Sequence, residues 1–149
     1  MDETSERLEA RRWVQRAIVF YESTGKEKTL AQIADPKGPY VDGDRYIFAL
    51  DIEGKLLAHP FSKRLMGRNL TDLRDSEGRC FIRKLLAKAT AKGYGFVDYV
   101  WPLPISEEER FKTAFFERVD GMVLCSGFYA PESVTIAEMY MRFGPYGPC

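Results

Sequence analysis

The sequence predicts an α+β domain built on an antiparallel sheet of five strands. Segments with helical periodicity and segments rich in β-branched and aromatic residues follow one another in the order helix, two strands, helix, three strands, helix. Short turn sequences separate most of the strands within each group. Strands that are adjacent in the chain and joined by tight turns pair antiparallel, which favours an α+β class.

The first helix is predicted over residues 1–23, and Gly25 ends it. Its apolar stripe has helical spacing and consists of Val14, Ala17, Ile18 and Tyr21. A shorter helical segment, 29–33, follows. The linker 35–39 then contains two prolines and a glycine, which favour an extended, turning connection.

The core of the domain is predicted over residues 46–129. Its first two strands, 46–50 and 55–59, flank a turn in which Asp51 bonds the backbone and Gly54 adopts a positive φ. Residues 61–78 have no clean period and contain several turn signals, which indicates a loop that lies over the sheet.

A second amphipathic helix follows this loop and ends at Gly93. Its stripe consists of Phe81, Ile82, Leu85, Leu86 and Ala89. Three strands are predicted next, and a tight hairpin at Asp120-Gly121 joins the last two. These strands are 95–101, 111–119 and 122–129. A closing helix is predicted over 132–143.

Composition narrows the classes of function. With 149 residues, of which 45% are hydrophobic, the chain suits a single domain, 1–149, with an adequate core. The 22 basic residues balance the 22 acidic ones, so no overall field attracts nucleic acid, and we expect no nucleic-acid partner.

Cysteine usage predicts neither a metal site nor a cofactor. Cys80, Cys125 and Cys149 lack CxxC spacing, and one histidine cannot complete a standard structural zinc site, so reduced, unlinked thiols are expected. No apolar run approaches the ~20 residues that cross a bilayer, and the first residues do not form a signal peptide. Two interpretations agree with these observations: a complete cytoplasmic protein, or an extracytoplasmic sensor domain excised from a longer chain.

Strand alternation identifies candidate site residues. Val97, Tyr99 and Trp101 share one face of their strand, and the polar ends of the two aromatic residues favour a pocket wall over pure core packing. Lys112 shares its parity with Phe116, so it points inward if Phe116 does. A buried ammonium needs an anion, which is either a carboxylate of the protein or a bound ligand.

His59 ends a strand and precedes Pro60, which blocks further ladder pairing. At that position an imidazole can donate to a carboxylate oxygen. Lys63, Arg64 and Arg68 come next and either close over the site or are solvated.

Enzymatic activity is not expected from this sequence. Cys125 lies in an apolar strand with nothing to mark a base beside it, and Ser126 lacks the context of a nucleophile elbow. The aspartates do not have the spacing of a calcium loop.

Taken together and in order, these elements resemble the single Cache sensor domains of bacterial chemoreceptors and histidine kinases, over nearly the whole chain as far as Tyr129. The elements are the strand 46–51 leading into Ala58-His59-Pro60, the turn Gly67-Arg68-Asn69-Leu70, the strand 95–101 and Lys112. The resemblance implies a PAS-like fold, with a long N-terminal helix behind the sheet and a helix and loop layer over a ligand pocket.

The family commonly binds small organic acids, and its pattern maps onto His59, Tyr99, Trp101 and Lys112. We therefore expect a sensory domain for an acid of the acetate, propionate, pyruvate or lactate class. In it, Lys112 supplies the charge, His59 and Tyr99 supply hydrogen bonds, and Trp101 with Phe48 forms the apolar walls. Tyr46 and Arg64 complete the predicted set of ligand-binding residues.

The expected partners are the carboxylate ligand, a signalling output domain or receptor, and a second copy that pairs through the N-terminal helix. Two alternatives remain open at this stage. One is a PAS-like dimerisation or adaptor module without a ligand. The other is a haem or redox sensor with His59 as the axial ligand.

Overall fold

A computed structural model describes residues 3–132, 134–135, 137–138 and 141 of the chain. Its helices are α1 (Glu3–Thr24), α2 (Lys26–Ala34) and α3 (Phe81–Lys92). Its strands are β1 (Val41–Asp42), β2 (Arg45–Asp51), β3 (Leu56–Ala58), β4 (Tyr94–Pro102), β5 (Glu109–Val119) and β6 (Met122–Tyr129). The closing helix predicted over 132–143 falls largely outside the described residues.

The strands form one antiparallel sheet in the order β1-β2-β6-β5-β4, and β3 also pairs with β2. This arrangement confirms the α+β class and the antiparallel pairing predicted from the sequence. All five predicted strands form, and the two-residue strand β1 is an addition. It escaped prediction because two residues are too short to show a period.

Helices α1 and α2 cover the back of the sheet. The apolar face of α1 packs on the sheet through Trp13, Val14 and Ala17, which are at most 7% exposed. Gly25, with φ of 91°, separates α1 from α2 at the position where the sequence predicts a break.

Helix α3 and the loop before it cover the front. Phe81, Ile82 and Leu85 of α3 are buried against the sheet, and Gly93 ends the helix in the left-handed conformation. We call residues 61–78 the strap. It lies over the front edge of the sheet and contains a single 3-10 turn, Lys63–Leu65. The sequence predicts a ligand pocket between this front layer and the sheet.

Candidate functional site

Lys112 lies in the interior of the domain, in the middle of the front sheet face. Only 1% of its surface is exposed, and Nζ donates a hydrogen bond of 2.8 Å to Tyr46 Oη. Antiparallel pairing places Lys112 between Tyr99 of β4 and Tyr129 of β6. The inward orientation that strand parity predicts is therefore present.

Four aromatic rings surround the Lys112 ammonium. Nζ lies 4.2 Å from the centroid of Tyr46, 5.3 Å from those of Phe48 and Tyr129, and 5.5 Å from that of Tyr99. A cation over aromatic faces gains about 0.5–2 kcal/mol per favourable contact. These rings stabilise the charge only in part, because they carry no counter-charge.

Gly127 makes room for the lysine. A Cβ at this position would lie 2.6 Å from Lys112 Cε and 2.8 Å from the Thr113 carbonyl oxygen. Real Cβ atoms do not approach so closely, so the stem of Lys112 occupies the space that any other residue at position 127 would fill.

Within the described part of the chain, no carboxylate forms an ion pair with Lys112. Burial lowers the pKa of its ammonium to about 7, and the Cys125 thiol opposes this shift weakly. An anion that binds beside this buried ammonium therefore stabilises its charged form strongly.

A chain of hydroxyl groups extends from Lys112 toward the surface. Tyr46 Oη and Tyr129 Oη are 3.2 Å apart, and Tyr129 Oη donates to the carbonyl oxygen of Pro102 at 2.8 Å. Burial raises the pKa values of Tyr46 and Tyr99 well above that of free tyrosine, so their hydroxyls stay neutral.

Tyr129 was absent from the sequence-based site. The hairpin at Asp120-Gly121 could have identified it. Its turn pairs Val119 with Met122, and the same antiparallel register, continued along both strands, pairs Lys112 with Tyr129.

His59 borders this cluster and is held in one tautomer. Its Nδ1 accepts the backbone N–H groups of Phe61 at 3.0 Å and Ser62 at 2.9 Å, so the proton resides on Nε2. Burial, with a smaller contribution from the charge of Lys112, lowers the pKa of His59 to about 3. The imidazole is neutral, and its Nε2–H is a donor whose present neighbour is Ser62 Oγ, at 3.4 Å.

A small interior cavity of about 10 Å³ adjoins these groups. Phe48, His59, Tyr99 and Trp101 line it together with apolar residues of α3 and the strap. Tyr99 stacks on Phe81 with ring centroids 3.9 Å apart, which fixes this wall. The cavity has about the volume that a single water molecule requires.

A larger cavity of about 770 Å³, which we call the outer cleft, opens above the interior. The strap and the connection between β4 and β5 form its two sides, and Tyr46, His59 and Trp101 lie at its floor. Arg64 lines this cleft and is exposed.

The structure thus divides the predicted residues into three groups. Tyr46, Phe48 and Tyr99 surround the nitrogen of Lys112. His59 and Trp101 lie at the boundary between the interior cavity and the outer cleft, and Arg64 is on the outer wall. Lys112 itself lines neither cavity and lies beneath Tyr46.

Asp75 and Arg79, which the sequence did not identify, attach the strap to β4. Asp75 accepts hydrogen bonds from the backbone N–H groups of Glu77, Arg79 and Val100. Its Oδ2 also lies 3.7 Å from Nη1 of the buried Arg79. Both terminal nitrogens of Arg79 lack a hydrogen-bond partner, so the carboxylate of Asp75 is their principal electrostatic support.

The cysteines correct one expectation. Cys80 is disulfide-bonded, whereas the sequence suggested unlinked thiols, since spacing alone does not reveal which side chains meet in space. Cys125 is free and buried, and burial raises the pKa of its thiol. No group of three or more potential metal ligands occurs among the described residues.

Several known proteins are similar to this chain. Residues 23–136 match the family model dCache_2, which describes a Cache domain. The methyl-accepting chemotaxis protein McpP of Pseudomonas putida is 29% identical over 93 residues, which cover 61% of this chain and 17% of that protein. The chain therefore corresponds to a small part of the length of this relative.

Solved structures have the same fold. A periplasmic sensor domain of a chemotaxis protein is 25% identical, with a TM-score of 0.69 over 88% of this chain and 100% of that one. A Cache chemosensory domain described for carboxylic acid recognition is 23% identical, with a TM-score of 0.73 over 88% and 99%. A methyl-accepting chemotaxis protein from Vibrio parahaemolyticus is 24% identical, with a TM-score of 0.68 over 85% and 87%.

Proposed function

Because the chain belongs to the Cache domain family, we propose that it is a sensory domain that binds a small monocarboxylate of the acetate, propionate, pyruvate or lactate class. One observation carries the proposal. Lys112 is a buried ammonium that has a tyrosine hydroxyl and aromatic rings for neighbours and no ion-pair partner among the described residues.

The residues around Lys112 supply the remaining chemistry. A ligand carboxylate forms an ion pair with the Lys112 ammonium and accepts a hydrogen bond from His59 Nε2–H. Tyr99 offers a neutral hydroxyl as a further donor. Phe48 and Trp101 contact the short apolar part of the acid. Charge-assisted hydrogen bonds contribute about 1.5–3 kcal/mol each, which suits micromolar to millimolar binding of so few atoms.

Binding requires the interior to open. A cavity of about 10 Å³ is too small for a two-carbon acid, so side chains at the boundary with the outer cleft must move. Leu65 of the strap and Trp101 of β4 line both cavities and are the groups that a ligand displaces first. We propose that this displacement is the start of the signal.

The signal passes to an output domain of a chemoreceptor or histidine kinase in this proposal. The similarity to the chemotaxis proteins named above supports the chemoreceptor form of this proposal. The proposed location is outside the cytoplasm, and the disulfide-bonded Cys80 agrees with an oxidising compartment. Among the described residues, no helix has both the length and the apolar character to cross a membrane.

A homodimer through α1 is part of the same proposal. Leu8 and Val19 are 48% and 64% exposed on this helix, and their spacing of 11 residues brings them to one face. Sedimentation at increasing protein concentration, with Val19→Glu as the disrupting variant, tests this contact.

A melting screen against C2 to C4 monocarboxylates tests the ligand assignment. Acid at 100 times its Kd stabilises the folded state by about 2.7 kcal/mol, which raises the melting temperature by several degrees. Chloride at equal ionic strength is the control. If no acid in the series raises the melting temperature, the monocarboxylate assignment is wrong.

The compact interior favours one alternative, a PAS-like dimerisation or adaptor module without a ligand. In that case the same screen gives no shift, and the dimer persists without additives. A haem sensor that uses His59 as the axial ligand predicts a Soret band in the purified protein.

A further inference from the structure

Lys112 has the surroundings of a nucleophile as well as those of an anion-binding ammonium. In the described part of the chain, no carboxylate pairs with Nζ and so none holds the proton there. Burial lowers the pKa of the group to about 7, so a large fraction of it is free amine near neutral pH. A solvated lysine, with a pKa near 10.5, has fewer than about one free amine in a thousand at that pH.

The other titratable groups around Nζ stay neutral at the same pH. Burial raises the pKa values of the three tyrosines and of the thiol, and it lowers that of the imidazole to about 3. These groups are Tyr46 of β2, Tyr99 of β4, Tyr129 and Cys125 of β6, and His59 after β3. The side chains that α3 and the strap contribute to the adjoining interior cavity are apolar. Within this cluster Lys112 is therefore the group that gains and loses a proton near pH 7.

A hydroxyl group lies in position to move protons to and from this nitrogen. Tyr46 Oη is 2.8 Å from Lys112 Nζ and 3.2 Å from Tyr129 Oη, and Tyr129 Oη reaches the carbonyl oxygen of Pro102 beside the outer cleft. The space left by Gly127 holds the lysine stem, so the nitrogen has a fixed position relative to this hydroxyl. A positioned hydroxyl of this kind serves a reaction that transfers a proton from nitrogen to oxygen.

The same surroundings suit a cation that stays on the nitrogen. The ring of Tyr46 has its centroid 4.2 Å from Nζ, and three further rings lie within 5.5 Å. Aromatic faces stabilise an iminium ion as they do an ammonium ion, and neither needs a counter-charge to be held there.

From this arrangement we propose that Lys112 captures short aliphatic aldehydes as a Schiff base. The Nζ lone pair attacks the carbonyl carbon, the oxygen takes a proton from Tyr46 Oη, and the nitrogen returns one to Tyr46. A second proton from Tyr46 lets the hydroxyl leave as water while the nitrogen lone pair forms the C=N bond. Tyr46 then regains a proton from solvent, so that amine, aldehyde and one proton give iminium and water without electron transfer.

This activity goes beyond the binding of acids, and it rests on the proposed function in one respect. An aldehyde of two or three carbons needs the same opening of the interior as an acid of that length, because the interior cavity measures about 10 Å³. An acid and an aldehyde then compete for the same nitrogen.

Reductive trapping tests the proposal. The domain is treated with limiting acetaldehyde and sodium cyanoborohydride, which reduces the iminium to a stable ethyl-lysine, and peptide mass spectrometry follows Lys112 and the exposed Lys84 of α3. At pH 7 we expect Lys112 to be labelled about tenfold faster than Lys84 or more, because its free amine is far more abundant. In urea, where the fold is lost, the two lysines should react at similar rates.

Two further readouts separate this reaction from ordinary lysine labelling. The ratio of the Lys112 rate to the Lys84 rate should fall above pH 7, since the amine of Lys112 is by then fully formed while that of Lys84 still increases. Tyr46→Phe should slow the labelling of Lys112 at least tenfold by removing the proton relay. Tyr94→Phe removes a hydroxyl from a 48% exposed tyrosine of β4 and is the matched control, expected to change nothing. Melting temperatures verify that both variants fold.

Three results overturn the inference: Lys112 reacts no faster than Lys84 in the folded domain, its preference persists in urea, or Tyr46→Phe and Tyr94→Phe label at the same rate. Each leaves the proposed function standing if calorimetry shows acids to bind. Labelling of Lys112 that acetate slows, with Lys84 unaffected, supports both proposals. Labelling without any acid binding keeps this inference and overturns the monocarboxylate assignment.

Discussion

At the scale of single residues, the site depends on how Lys112 is buried. Its ammonium is desolvated, and one hydroxyl and four aromatic rings offset that cost only in part. The ligand-free domain therefore keeps a charge that opposes folding and favours an anion. Removing the charge of Lys112 should therefore raise the stability of the ligand-free domain and lower its affinity for carboxylates.

Replacement Lys112→Met tests this opposition. Methionine has a similar volume and no charge, so the ligand-free domain should be more stable by about 1–3 kcal/mol, while carboxylate affinity falls at least tenfold. Urea unfolding and calorimetric titration measure the two effects. Lys84→Met, at an exposed position on α3, is the control and should change neither. A variant that is less stable and still binds would contradict the role given to Lys112.

Gly127 provides a second test at this scale. Gly127→Ala places a methyl group 2.6 Å from Lys112 Cε, so either the lysine or β6 must shift. We expect a loss of about 1–3 kcal/mol in the free energy of unfolding, together with weaker acid binding. Gly121→Ala is the matched control, because a Cβ there meets nothing within 4 Å. Equal effects of the two substitutions would show that the room beside Lys112 is unimportant.

At the scale of elements, Asp75 ties the strap to β4, in addition to the apolar contacts that Leu70 and other strap residues make with the core. One carboxylate joins three backbone N–H groups, including that of Val100 in β4, and supports the buried Arg79. The other end of the strap is also bonded: Gly67 and Arg68 share backbone hydrogen bonds with Leu56 of β3, and two N–H groups at its start donate to His59 Nδ1. The strap is therefore held at both of its ends, and Asp75 is the attachment to β4.

Asp75→Asn should loosen this attachment. The amide loses a backbone bond and leaves Arg79 buried without its counter-charge, at a cost of about 3–5 kcal/mol in the free energy of unfolding. Hydrogen exchange of the Val100 amide measures the local effect. Asp72→Asn breaks the exposed pair with Arg83 and should cost less than about 1 kcal/mol. Similar costs for the two variants would refute the special role of Asp75.

At the scale of the whole molecule, two buried bases make stability depend on pH. The folded-state pKa of His59 is about 3, below its usual 6.5, and that of Lys112 is about 7, below its usual 10.5. The unfolded chain binds a proton more readily at both sites. Each base therefore lowers the free energy of unfolding most at pH values below its pKa in the folded state. This destabilisation disappears as pH rises to the pKa of the same group in the unfolded chain.

The free energy of unfolding should rise with pH between about 3 and 6.5 through His59, and between about 7 and 10.5 through Lys112. Each slope reaches at most about 1.4 kcal/mol per pH unit. The free energy of unfolding is measured against pH for the wild type, His59→Gln and Lys112→Met. Subtracting the curve of each variant from that of the wild type isolates the contribution of that residue. Parallel curves for the wild type and either variant would disprove the corresponding shift.

Local patterns in the sequence determined the helices α1 and α3, the five longer strands and the inward side of Lys112. Periodicity, glycine positions and the Asp120-Gly121 turn act over a few residues, so they can be recognised without tertiary structure. The same hairpin register identifies Tyr129 opposite Lys112, once the pairing is counted outward from the turn.

Tertiary structure alone decided how the predicted residues Tyr46, Phe48 and Tyr99 are arranged around Lys112. The rings around Nζ come from β2, β4 and β6, and the space for its stem comes from Gly127. The join of the strap to β4 links Asp75 with Val100, which are 25 positions apart. Such contacts depend on how separate elements pack against one another, and no short-range pattern in a single sequence encodes that packing.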